Sequence, residues 1–395
     1  MNGESLSEFP SSTWNLQLAA IAAQGVQVVR SDAPWTTIEP TFPGALDFQW
    51  QFGPIDAWVA ALASHHLRWQ PILDYNNWWA NAASDPSAFA AYGQQVAMRY
   101  GPGGTFWTQN PQLPYLPVQI FEVWNEEGSE PYYISPADYG PLYAATHAAI
   151  HDVDPTASVD VGGLADDSES FYSDDDYPSW YVTRMLNSDR SLVGHIDGFA
   201  LHPYGATATD VIEWVNEFRY ILNGLGESSA PIDITEFGWV TGDDTQEQWR
   251  AAQMTQLGTW FEHSTDGIRE VAPYDWINSL LVGDTGDFGF VDDSGTDATL
   301  RPAAVAWFRA FAPTAAVAST SPTASRPKST PSKPKAALRV VAKAAKPQSR
   351  CAATVKSRRR PAGKRAKVQR CTAQGHKRSA AKTSRRPKHK AHRQY

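Results

Sequence analysis

The sequence predicts an α/β fold: a (β/α)8 barrel lacking its first strand, followed by a basic low-complexity tail. Three observations predict it. From about residue 14 to residue 312, strand-like and helix-like segments alternate strictly, the pattern of a parallel sheet covered by helices. Seven strands can be counted, each followed by a helix, with one more helix in front; a closed barrel needs eight strands and ~250 residues. No GxGxxG follows the first of these strands, which argues against the open, doubly wound alternative.

The elements follow in order. "STWNLQLAAIAAQG" has a Ser cap, an apolar face at Trp14, Leu18 and Ile21, and Gly25 as a stop, so it reads as a helix. "VQVVRSDAPW" is a strand ending in polar residues, "IDAWVAALASHH" a helix, and "LRWQPILDYNNWW" a strand. "PSAFAAYGQQVAMRYG" is a helix, and "VQIFEVWNE" a strand that Val118, Ile120 and Val123 favour. Helix "YGPLYAATHAAIHDVDP", strand "SVDVGGLA", helix "YPSWYVTRMLNS" and strand "IDGFALHPYG" come next. Helix "ATDVIEWVNEFRYILNGLG", strand "PIDITEFGW", helix "TQEQWRAAQMTQLGTWFEHS", strand "VAPYDWI" and helix "RPAAVAWFRAF" complete the series. The missing strand would precede the helix at Ser12, where only "MNGESLSEFPS" stands. The expectation is that residue 1 falls inside strand 1, with the rest of that strand and any secretion signal encoded upstream; residues 1–10 have neither a basic start nor an apolar run.

Charge divides the chain. Residues 1–320 hold ten arginines, no lysine and all 42 acids, a formal charge of −32. Residues 321–395 hold the other 24 basic residues and no acid, and the two parts sum to −8. The expected domains are a barrel over 1–313, an Ala/Ser/Thr/Pro linker over 314–337 and a basic, mostly unstructured tail over 338–395. Cys351 and Cys371, the only cysteines, both lie in the tail, so the barrel has no thiol nucleophile and no cysteine metal site. No apolar run approaches the ~18 residues of a membrane helix. Sixteen tryptophans, all before residue 308, imply a large aromatic core plus rings for stacking on sugars, with half or more of them in the core.

In a barrel, the C-terminal ends of the strands line the pocket. Those ends supply Arg30 and Asp32 with Trp35; Asp74, Asn76 and Asn77; Asn125 and Glu126; His202 and Tyr204; Glu236; and Trp276. Counting the missing strand as the first, Glu126 and Glu236 end strands 4 and 7, which lie across the barrel mouth from one another. Two facing carboxylates are what glycoside hydrolysis requires, one to attack the anomeric carbon and one to protonate the departing oxygen. "VWNEEGSE" is a costly strand end unless it forms a site, because neighbouring carboxylates repel and burying either one is unfavourable.

"FEVWNE" and "DITEFGW" resemble the signatures of the clan A glycoside hydrolases, retaining (β/α)8 enzymes, in the flavour of the family 39 and family 5 group, cellulase-like or β-xylosidase-like. The resemblance runs from about residue 14 to 312 and includes "VRSDAPWTTIEP", "RYGPGGTFW", "ALHPYG" and "LRPAAVAWFRAF". It implies Glu126 as acid/base and Glu236 as nucleophile. It further implies that Asn125 holds the sugar 2-hydroxyl, Arg30 lies beneath the nucleophile, Tyr204 or His202 orients Glu236, and Trp276 forms the sugar platform, with Trp35 and Asn76 also in the substrate-binding set. The family pattern Trp-Asn-Glu-Pro-Asn reads Trp-Asn-Glu-Glu-Gly here, so Glu127 and Gly128 alter the loop beside the acid.

Other residues read more plainly. Glu127 is expected to be a solvated loop acid, and Glu122 a buried acid paired with an arginine. His65, His66, His147 and His151 lie in helices, as structural or exposed side chains. "DDSESFYSDDDY" and "GDTGDFGFVDDSGTD" lack the spacing of a calcium loop and read as solvated loops. No metal or cofactor is expected. The partner is a carbohydrate, and the tail is a candidate for an anionic cell-wall polymer, with an extracellular or cell-wall-associated placement. Nucleic acid is disfavoured by the −32 barrel and by the lack of aromatics among the basic residues before Tyr395. A phosphate-handling barrel is disfavoured because the acidic "VTGDDTQEQ" follows strand 7. The competing reading is a non-catalytic carbohydrate-binding barrel with a polyanion-binding tail.

Overall fold

The computed structural model describes residues 1–46, 48–128, 132–165, 177–278, 287–291 and 295–311. The expected linker and tail, Cys351 and Cys371, and the acidic stretch from 166 to 176 lie outside the described residues. Seven strands form one parallel sheet in sequence order: β1 (Val28–Pro34), β2 (Arg68–Asp74), β3 (Ile120–Asn125), β4 (Ser158–Ala165), β5 (Gly198–His202), β6 (Ile232–Ile234) and β7 (Ile268–Val271). Each strand pairs in parallel with the next, so every connection is a crossover. Helices α1 (Glu4–Glu8) and α2 (Ser11–Ala23) precede β1, and α3 (Trp35–Ile38) and α4 (Gly53–Ser64) follow it. Then α5 (Pro86–Tyr100) and α6 (Thr105–Gln109) precede β3, α7 (Pro136–Val153) precedes β4, and α8 (Tyr177–Ser188) precedes β5. After β5 come α9 (Ala208–Leu225), α10 (Asp244–His263) and, beyond β7, α11 (Pro302–Ala310). The result is a seven-stranded, partial (β/α)8 barrel.

Local chemistry sets most helix ends. Asp85, Ser135 and Asp243 each accept a backbone N–H in the first turn of α5, α7 and α10, and Thr207 and Asp210 form a reciprocal capping box on α9. Pro136, at the first turn, starts α7 three residues before the expected Tyr139, because its fixed φ suits that position. Gly226 ends α9 with φ 99°, a left-handed conformation that costs glycine little.

The last strand corrects an expectation. The strand is Ile268–Val271, not "VAPYDWI". Its polar pair hides it from a hydrophobic reading: Arg269 donates from Nε to Asp233, from Nη1 to Ser158 at 2.7 Å, and from Nη2 to Asp160 at 2.7 Å. Asp160 and Asp233 are buried, so this cation offsets charges that would otherwise be costly inside the sheet. Pro273, which has no N–H to donate, follows the strand.

The seam between β1 and β7 is not bare. The Met1 amine donates to Val28 O at 3.0 Å, Arg30 N donates to Met1 O at 3.1 Å, and Gly3 N donates to Arg30 O at 2.9 Å. Asn2 forms a parallel bridge with Arg30, and Asn2 O accepts from Trp276 N at 3.3 Å. Residues 1–3 thus form a short rung along β1. A cavity of about 440 Å³ adjoins it, lined by Met1, Val28, Gln70, Glu270, Pro273 and Trp307 among others.

Eight tryptophans are buried: Trp35, Trp58, Trp69, Trp107, Trp124, Trp239, Trp276 and Trp307. Half of the sixteen therefore serve the core, as expected. Trp78 and Trp249 are exposed.

Candidate active site

Arg30 organises the pocket. It projects from β1 into the interior and is 1% exposed. Its Nε and Nη2 grip Glu122 of β3 at 2.7 and 2.8 Å, the two-point geometry that suits a guanidinium. Nη2 also donates to Asn125 Oδ1 at 2.7 Å, and Nη1 donates to Glu236 Oε1 at 2.7 Å. The expected pairing of Glu122 with an arginine is found, and that arginine is Arg30.

The end of β3 is shaped by backbone conformation. Trp124 has φ 72° and Glu126 has φ 50°, both left-handed and unfavourable for side chains of this kind. The turn at Trp124 breaks the alternation of the strand. Its ring packs near Phe89 of α5, at 6.0 Å between centroids, while Asn125 reaches inward to Arg30. Two glycines of β4 make room. A Cβ on Gly162 would lie 2.4 Å from Val123 O, and one on Gly163 would lie 2.3 Å from His202 Nε2 and 2.8 Å from Asn125 Oδ1. The "GG" within "SVDVGGLA" was the sequence signal for this close approach.

Glu236 follows β6 and is 5% exposed. Arg30 holds Oε1, and the Tyr204 hydroxyl donates to Oε2 at 2.8 Å. Burial pushes the carboxyl pKa up, but His202, Arg30 and the Tyr204 hydrogen bond outweigh it and hold the group below the usual carboxylate range. His202, fully buried at the end of β5, stands between the two acids. Its Nδ1 is 3.1 Å from Glu126 Oε1, and its Nε2 is 3.5 Å from Glu236 Oε1. One oxygen each of Glu126 and Glu236 and a ring nitrogen of His202 all lie within 4.8 Å of one another. The Glu126 side chain is 31% exposed against 7% for Glu236, so one acid faces solvent and the other lies deep. Such a trio has the donor set for a metal, but the adjacent guanidinium already supplies the positive charge and would repel a cation.

The pocket wall holds further acids. Asp32 and Asp74 are hydrogen-bonded to each other, and burial, followed for Asp32 by the charge of Asp74, raises both well above the usual range. Tyr75, just past β2, belongs to the site: its hydroxyl accepts from Asn125 Nδ2 at 3.2 Å, and its ring stacks on Tyr132 at 3.9 Å. Sequence reasoning chose Asn76 and Asn77 from "LDYNNWW" and missed Tyr75.

Six of the sequence-derived residues meet in this cluster: Arg30, Asn125, Glu126, His202, Tyr204 and Glu236. Three others do not join it. Trp35 is 0% exposed; its indole donates to Glu39 and its ring stacks with Tyr92. Trp276 is also 0% exposed, with its indole donating to Gln17 at 2.8 Å, so neither ring has a face open to a sugar. Asn76 is exposed and uses its side-chain oxygen to hold Ala82 N at 2.8 Å, which shapes the loop after β2. Glu127 is a further correction. It is 0% exposed rather than solvated, its carboxylate oxygens have no hydrogen-bond partner among the described residues, and burial pushes its pKa up to about 8. Asp287, in the second acidic stretch, is paired with Arg301 and accepts from Asn278.

Comparison with known proteins agrees with the clan A resemblance. Residues 135–299 match the family model described as glycosyl hydrolase catalytic core, a span that contains Glu236 but not Glu126. Among solved structures, a family 39 glycoside hydrolase from the gut symbiont Bacteroides cellulosilyticus WH2 superposes with a TM-score of 0.57 at 17% identity, over 75% of this chain and 61% of that one. A family 39 β-xylosidase from Caulobacter crescentus gives 0.55 at 16%, over 76% and 68%. An exo-β-1,4-mannosidase from Opitutaceae bacterium strain TAV5 gives 0.52 at 16%, over 75% and 54%. At these identities the likeness is one of fold, and this chain spans about 61% of the length of the Bacteroides enzyme. No curated protein matches the sequence.

Proposed function

We propose that the chain is a retaining glycosidase that cleaves β-linked oligo- or polysaccharide, with Glu236 as nucleophile and Glu126 as acid/base. The observation that carries this reading is the approach of Glu126 and Glu236 to within 4.8 Å at the strand ends. Retaining enzymes keep their carboxyls ~5–5.5 Å apart, whereas inverting enzymes need ~6.5–9.5 Å to admit a water. The environments support the division of labour. Glu236 is held as a carboxylate by Arg30 and Tyr204, as a nucleophile requires. Glu126, nearer solvent, is suited to protonating the leaving-group oxygen and then activating water.

In this mechanism Glu236 attacks the anomeric carbon while Glu126 gives its proton to the glycosidic oxygen, leaving a covalent glycosyl-enzyme. Glu126 then takes a proton from water, which attacks the same carbon and releases Glu236. Asn125, fixed by Arg30 and Tyr75, stands next to the acid in the place suited to the sugar 2-hydroxyl. The stacking surface is better sought in Trp78, 72% exposed, and Tyr132, 41% exposed, than in Trp35 or Trp276. The test is an aryl-glycoside panel. Glu236→Gln is expected to abolish turnover, while Glu126→Gln keeps the first step on substrates with good leaving groups. Full activity of Glu236→Gln on any glycoside would overturn the assignment.

A further inference from the structure

Away from this pocket, we propose that His147, His151 and Asp197 form a binding site for a divalent transition-metal ion of the zinc class. His147 and His151 are four residues apart on α7, so they share one helix face a turn apart. Their rings lie 4.2 Å apart at an interplanar angle of 23°. Asp197 immediately precedes β5, and its Oδ2 lies 3.2 Å from His147 Nε2 and 2.8 Å from His151 Nε2. One ligand atom from each residue lies within 4.8 Å of the other two. Two imidazole nitrogens and a carboxylate oxygen are the donor set that catalytic and open zinc sites use.

The spacing suits an ion. Bonds of ~2.0–2.2 Å in tetrahedral geometry set ligand atoms ~3.4 Å apart, so the observed separations need small side-chain adjustments rather than backbone movement. The carboxylate is already oriented, because Asp197 Oδ2 accepts from Val159 N at 3.0 Å, and a ligand held by such an outer contact binds more tightly. The alternative is an ion-paired cluster satisfied by itself. Against it, His147 Nε2 is buried and makes no hydrogen bond of acceptable geometry, although it points at Asp197. Two imidazole nitrogens converge on one oxygen where one proton would suffice. The three side chains are 24–27% exposed, which gives an ion an approach and leaves a coordination position for water.

Position defines the role. Asp197 lies at the N-terminal end of β5, whereas Glu126, His202 and Glu236 lie at or beyond C-terminal strand ends. An ion here would tie α7 to the β4–β5 edge from the face opposite the pocket, as a structural clamp.

The test uses the full chain, stripped of metal and titrated with Co²⁺ for visible absorption and with Zn²⁺ for thermal midpoint. One equivalent of Co²⁺ bound with a d–d band is expected. With Zn²⁺ at about a hundredfold excess over Kd, the midpoint should rise on the order of 5 °C. His147→Ala, His151→Ala and Asp197→Asn should each weaken binding at least tenfold. Glu236→Gln, which removes the alternative trio in the pocket, and a His389→Ala/His392→Ala double variant should both retain it. Zinc-edge X-ray absorption on the unaltered chain should show two imidazole nitrogens at ~2.0–2.1 Å, so the result does not depend on any variant folding. The proposal is overturned if the unaltered chain shows no band and no shift, if binding survives in both helix variants, if either control loses it, or if the absorption spectrum shows an oxygen-only shell.

Discussion

Replacing Glu127 by glutamine should flatten the dependence of stability on pH. The carboxyl is 0% exposed, lacks a partner among the described residues, and has its pKa pushed by burial from 4.5 to about 8. Its folded-state pKa is raised, so the folded state holds a proton that the unfolded state has already released. The associated stability is complete below about pH 4.5 and is lost as pH rises through about 8. Each pH unit inside that window costs up to about 1.4 kcal/mol, so between pH 5 and 7.5 the loss from this group is about 3 kcal/mol. Glutamine preserves the shape and stays neutral, so the variant lacks this loss. Other buried acids with raised pKa, such as Asp275, contribute the same slope to both proteins and cancel in the difference. Urea unfolding followed by tryptophan fluorescence at pH 5, 6, 7 and 7.5 measures it. Stability curves that stay parallel to within about 0.5 kcal/mol across that range would show that Glu127 is ionised or solvated in the folded protein, and would refute the reasoning.

Three further outcomes are expected. Tyr204→Phe removes a 2.8 Å hydrogen bond to Glu236; it should raise the acid limb of the kcat/KM profile and reduce kcat/KM roughly 10- to 100-fold, measured on an activated aryl glycoside across pH 3–7. Arg30→Met strips two buried carboxylates, Glu122 and Glu236, of their common cation and should destabilise the fold by about 3–5 kcal/mol, read by denaturant unfolding near neutral pH. The +24 segment beyond residue 320 should bind polyanions with strong salt dependence; isolated cell wall should retain the full chain more than residues 1–313 at low salt, with the difference lost at high salt.

What the sequence by itself determined was the part governed by local periodicity and by residue types with few structural uses. Alternating strands and helices required a parallel, helix-covered sheet, whereas the caps at Asp85, Ser135, Thr207 and Asp243, which fix where four helices begin, emerged only in the structure. Glu126, Glu236, His202, Tyr204, Asn125 and Arg30 were legible because polar residues at strand ends must face the one place where strand ends converge. Tertiary structure decided what depends on partners distant in sequence. Trp276 was expected as the sugar platform and Trp35 among the substrate-binding residues, yet Gln17 and Tyr92 pack against them in the core. Glu127 followed the acid in a loop, yet it is buried. The left-handed turn at Trp124 lets Glu122 and Asn125 both reach Arg30, and it needed the glycines of β4 to clear the space. β7 was hidden because Arg269 and Glu270 look like surface residues until Asp160 and Asp233 stand opposite Arg269. His147 and His151 show their spacing in the sequence, but only the fold brings Asp197, 46 residues beyond His151, to their ring nitrogens. A side chain's type limits what it can do, whereas its burial and charge environment are set by elements that the chain brings together only on folding.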